Sequence, residues 1–118
     1  MNIYVVAKDS RLLRLVRVVD VLGEFEVIRF GQLRAACERL RRDVGSVIIF
    51  DLEVSKVSGG IVELGSDGFR DVRSRIFVCV NNMMLLSQPE TEQIRFALLQ
   101  LGVGGVFSQL NELTALLP

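Results

Sequence analysis

One hundred and eighteen residues, 50% hydrophobic and 24% charged, suffice for one domain with a well-filled core. The net charge is zero, so no overall field draws the molecule to nucleic acid or to an anionic membrane, and the absence of histidine removes the commonest metal ligand and general base. No apolar run reaches the ~18–20 residues of a membrane span. The N-terminus runs straight into a strand pattern rather than a signal peptide, which gives the expectation of a cytoplasmic protein.

In chain order, 3–7 (Ile-Tyr-Val-Val-Ala) is an apolar run that predicts a buried first strand. Asp9 or Ser10 can cap a helix over 11–22, which Gly23 stops. Arg11, Arg14, Arg17 and Asp20 form its polar stripe. Residues 25–30 alternate in part and, with Glu24, Glu26 and Arg29, predict a charged edge strand. An amphipathic helix over 32–42 places Leu33, Ala36, Cys37 and Leu40 inward and Arg34, Glu38, Arg39, Arg41 and Arg42 outward. Residues 47–51, Val-Ile-Ile-Phe-Asp, have the apolar continuity of a central parallel strand that ends in a carboxylate. The glycine-rich stretch 52–74 predicts only a short or distorted helix near 61–64. Residues 76–80 form a second central strand, ended by Asn81-Asn82. Pro89 suits the first turn of a helix capped by Ser87 or Gln88, with Ile94, Ala97, Leu98 and Leu101 buried and Gly102 as its stop. A last strand over 103–108 and a short helix over 111–117 complete the pattern.

Strands alternating with helices imply a single α/β domain spanning 1–118. Its five-stranded parallel sheet has helices on both faces, and the flavodoxin-like order 2-1-3-4-5 puts the third and fourth strands inside. Cys37 and Cys79 are expected as buried, reduced thiols. The short final helix leaves room for the chain to be the N-terminal piece of a longer protein.

Three stretches resemble the receiver domains of two-component response regulators. They are Val5-Val6-Ala7-Lys8-Asp9-Ser10, then Val47 to Asp51 with Gly59 eight residues on, then Leu101-Gly102-Val103 with Val106-Phe107-Ser108. The resemblance covers nearly the whole chain and implies a (βα)5 receiver-like fold with Asp51 at the phospho-accepting position. It also implies an acidic pair that holds Mg²⁺, where this chain has Ala7 and Lys8, with Asp9 one residue on. A hydroxyl at the end of the fourth strand corresponds to Val80, followed by Asn81. A lysine at the end of the fifth strand corresponds to Gln109. The departures give a degenerate, pseudo-receiver pocket with no catalytic residue, no metal and no cofactor.

Other motifs are weak. Gly102-Val-Gly-Gly lies between helix and strand, the reverse of a phosphate cradle. Ser10 and Ser108 have no histidine partner. The arginines of 32–42 lack interleaved aromatics for nucleic acid. What remains is surface. By ~100° per residue, Phe96 and Leu99 lie well away from the buried stripe of their helix, beside Glu92 and Arg95. In the receiver family the corresponding helix and fifth strand, here including Val106, form a signalling face. The charges also segregate: 1–42 carries nine basic and five acidic residues, +4, and 43–118 carries five and nine, −4.

The expectation is a regulatory or scaffolding module that meets a protein partner or effector domain and forms a homodimer, without contacting nucleic acid or membrane directly. The alternatives are a receiver still phosphorylated at Asp51 and a small-molecule sensor using the crevice of Lys8, Asp51, Asn81 and Gln109.

Overall fold

The computed structural model describes residues 2–7, 26–81 and 86–108. Its elements run β1 (Asn2–Val6), β2 (Glu26–Phe30), α1 (Leu33–Arg42), β3 (Val47–Glu53), α2 (Val57–Leu64), β4 (Ile76–Asn81), α3 (Gln88–Gln100) and β5 (Gly105–Phe107). The five strands form one all-parallel sheet in the order β2-β1-β3-β4-β5, so the α/β class and the strand order are as expected. The charged strand β2 is an edge, and β3 and β4 are interior. The helices expected over 11–22 and 111–117 lie outside the described residues.

Alternation along the strands splits the core in two. Tyr4, Val6, Ile48, Leu52, Val78 and Val80 face one way and join side chains from α1, α2 and α3. Ile3, Val5, Ala7, Ile49, Phe77, Cys79 and Phe107 face the other way in a second buried cluster. Each fully buried Ile, Leu or Phe contributes about 1.5–3 kcal/mol relative to exposure, so the sheet interior dominates the stability.

Helix α1 forms where its periodicity predicts. Leu33, Ala36, Cys37 and Leu40 are buried, while Arg39, Arg41 and Arg42 in the last turn complement the helix dipole. Gly45, at φ +94°, makes the turn into β3.

Helix α2 is longer than the sequence suggested. It starts at Val57 and runs through Gly59 and Gly60, whose helix propensity is poor. Packing overrides propensity here: a Cβ at Gly60 would lie 2.7 Å from the Leu52 methyls, so glycine lets the helix approach β3 closely.

Helix α3 begins with a complete capping box. The Ser87 hydroxyl accepts from the Glu90 N–H at 3.3 Å, and the Glu90 carboxylate accepts from the Ser87 N–H at 3.3 Å. Pro89 sits in the first turn, and Gly102, at φ +95°, lets the chain leave the helix. A Cβ at Gly104 would come within 2.4 Å of the Ser74 carbonyl oxygen, so β5 can close on β4 only with glycine there.

Loops are fastened by arginine forks on backbone carbonyls. Arg75 donates to the carbonyls of Ser46 (3.1 Å), Leu40 (3.2 Å) and Asp43 (2.6 Å), tying the end of α1 to the start of β4. Arg73 does the same for Leu101 (2.9 Å) and Ser66 (3.0 Å). Arg41 adds a two-point ion pair to Asp71 at 2.9 and 3.2 Å and a bond to the Gly68 carbonyl. Among the described residues, no helix is long and apolar enough to cross a membrane.

Candidate functional site

In open parallel sheets the carboxyl ends of the strands form the usual binding crevice. Strand β3 runs two residues past Asp51, to Glu53, so Asp51 is an internal residue of the strand near its end. Val47 and Ile49 belong to the second cluster, and counting by twos puts Asp51 on the same face. The register pairs Val6 with Phe50, Asp51 with Cys79, and Cys79 with Phe107. One row therefore crosses the sheet: Ala7, Asp51, Cys79, Phe107. Ala7 (4% exposed), Cys79 (5%) and Phe107 (0%) are buried, and Asp51 is half-buried and engaged in an interaction.

This row corrects one sequence-based assignment. Val80 pairs with Leu52, belongs to the helix-covered cluster and is fully buried on the face opposite Asp51. Its side chain therefore does not stand over the carboxylate. A one-residue offset in a strand reverses the face, so the lateral neighbour of Asp51 is Cys79. Parity along β3 and β4 could have found Cys79 once their register was known; composition and motif spacing could not. Asn81 lies in β4, paired with Glu53, rather than beyond the strand's end. Lys8, Asp9 and Gln109 lie outside the described residues.

The sequence also missed Arg29. From the edge strand its Nε and Nη2 donate to the Ala7 carbonyl at 3.3 and 3.2 Å, bringing a guanidinium to the end of β1.

Mg²⁺ is a hard cation that takes six oxygen ligands. Within the row, Asp51 alone offers side-chain oxygens; its neighbours present a methyl group, a thiol and a phenyl ring. Among the described residues no three of His, Cys, Asp and Glu are grouped to hold a metal ion. The residues of the row do not fit the cation that the receiver resemblance implies.

Among the described residues, a polar cluster occupies the opposite end of the sheet. There the Asp43 carboxylate accepts from the Tyr4 hydroxyl and from the Asn2 amide at 2.7 Å, and the buried Ser46 hydroxyl accepts from the Asn2 N–H at 3.0 Å. Hydrogen bonding, from Tyr4 first and then Ser46 and Asn2, holds the Asp43 carboxyl below its usual range. Burial pushes the Cys37 thiol up to about 11, as expected of an inert core cysteine.

The surface residues separate cleanly. Phe96 is 65% exposed and Leu99 46%, three residues apart on α3, with exposed Glu92 one turn away. Arg95 is half-buried and donates to the Val106 carbonyl at 3.1 Å, which binds this flank of α3 to edge strand β5. Val106 itself is 5% exposed: its strand position turns the side chain into the helix-covered core, so it is corrected from contact residue to packing residue.

Comparison with protein-family models, with curated proteins and with solved structures gave no match.

Proposed function

We propose that the chain is a non-catalytic pseudo-receiver, a regulatory module that works by protein–protein contact and self-association and does not carry a phosphoryl group on Asp51. The observation that carries this reading is the outer flank of α3. Phe96 and Leu99 are two large apolar side chains placed together in water on a well-capped helix, with a charge beside them. An apolar centre with a charged rim is the composition of an interface, and an exposed aromatic is the kind of residue that anchors one.

The row around Asp51 supports the non-catalytic half of the proposal. Phosphoryl chemistry on a carboxylate requires a cation to neutralise the transferred oxygens. Ala7 and Cys79 flank the carboxylate with groups that do not ligate Mg²⁺.

The test is the mass in solution, by light scattering, of wild type and Phe96→Glu from micromolar to millimolar concentration. Wild type is expected to associate and the variant to remain monomeric. Its melting temperature should be unchanged, because the site is exposed and away from the core. A wild type that is monomeric throughout this range overturns the reading.

A further inference from the structure

The proposal that follows rests on the self-association reading and gives it a geometry. We propose that copies associate head to tail, with the α2–α3 flank of one chain seated on the α1 flank of the next.

The two flanks lie apart on one side of the sheet. Helix α1 packs on β1, β2 and β3, and α3 packs beside α2 at the β5 edge. They differ in charge. Exposed α1 residues include Arg34, Arg39 and Arg42 against a single acid, Glu38. On α2 and α3 the exposed charges are Glu63, Glu92 and Glu90, the last committed to the helix cap, and Lys56 is exposed at the N-terminus of α2. Arg95 on this side is already committed to the Val106 carbonyl.

Both flanks expose apolar side chains to match. Val44, in the turn that follows α1, is 91% exposed. Opposite it in the proposed contact are Phe96 and Leu99 of α3, and the neighbouring helix α2 exposes Val62 (75%). Gly59 adds an observation of another kind. It is exposed in α2, a Cβ there would meet nothing within 4 Å, and its φ is ordinary, so nothing among the described residues calls for glycine. A smooth helix surface of that sort admits close approach of another chain.

Charge decides between the possible pairings. Joining like flanks about a two-fold axis sets acid against acid at α2–α3, or cation against cation at α1. Joining unlike flanks sets cation against acid. Because the net charge is zero, each added copy brings both signs and no repulsion accumulates. Unlike-flank contacts are heterologous, so association continues beyond two chains unless a ring closes.

A complementation experiment tests this. Arg39→Glu/Arg42→Glu removes the α1 flank and keeps the α3 flank, and Phe96→Glu does the reverse. Each variant alone is expected to be monomeric at concentrations where wild type associates. An equimolar mixture is expected to give a complex of two chains that grows no further. Val44→Glu, in a turn outside any helix, serves as a second α1-side block and should pair with Phe96→Glu in the same way. If the α1-side variants associate as wild type does, or if the mixtures stay monomeric, the head-to-tail geometry is overturned while self-association stands. If wild type itself is monomeric, the underlying reading fails first.

Discussion

The two ends of the sheet carry opposite investments. At the amino end, Asn2, Tyr4, Asp43, Ser46 and Arg75 form a dense hydrogen-bonded cluster that includes a buried phenol and a guanidinium on three carbonyls. At the carboxyl end, where α/β sheets place their chemistry, the row around Asp51 is otherwise methyl, thiol and phenyl. Here the polar groups at the amino end fasten α1 and β4, while among the described residues of the row Asp51, itself engaged in an interaction, is flanked by Ala7 and Cys79.

The comparison can be broken most sharply at Ala7. Ala7→Asp places a second carboxylate in the buried row beside Asp51, and should cost about 4 kcal/mol in metal-free buffer. If the row can be turned back into a cation site, millimolar Mg²⁺ will recover part of the lost melting temperature by binding the folded state. An unchanged melting temperature on adding Mg²⁺ would show that one acid is not enough. At the other end, Arg75→Ala removes three charge-assisted bonds and leaves the carbonyls of Leu40, Asp43 and Ser46 without that donor. A loss of about 3 kcal/mol is expected, seen as a fall of roughly 10 °C in thermal unfolding.

The smallest effect is a pH dependence. Asp43 has a folded pKa below its unfolded value, so its contribution is present above that unfolded value, about 3.9, and is lost as pH falls through the lowered one. Denaturant melts from pH 7 to pH 2 should show a steep acid limb in wild type and a shallower one in Asp43→Asn. Equal limbs would assign the acid sensitivity to other carboxylates.

Much of the fold was legible because hydrophobic periodicity reports directly on burial. The inner stripe of α1 was readable residue by residue, as was the edge position of β2, where exposed Glu26 and Arg29 flank half-buried Val27 and Ile28. Ser87, one of two cap candidates with Gln88, and Gly102 marked the ends of α3 through capping chemistry that is local by nature. What was hidden depends on contacts between distant residues. Helix α2 extends through two glycines because Gly60 meets Leu52, and no local propensity announces that. Asp51 was visible as a strand-end carboxylate, but its lateral neighbour was not, since register decides whether Val80 or Cys79 shares its face. The exposure of Phe96 and Leu99 followed from helical rotation alone; the burial of Val106 did not, because it depends on which way a three-residue strand turns.

The arginine forks have a consequence for which cation the chain can use. Twelve of its fourteen basic residues are arginine, and two of them, Arg73 and Arg75, hold segments together by gripping two and three peptide oxygens at once. Lysine has a single ammonium on a flexible stem and cannot reproduce a planar, several-pronged grip. Exchanging arginine for lysine at 73 or 75 would preserve the charge and still unbuckle the seams. Because the acceptors are uncharged, these fastenings should also hold in brine that would weaken an exposed ion pair.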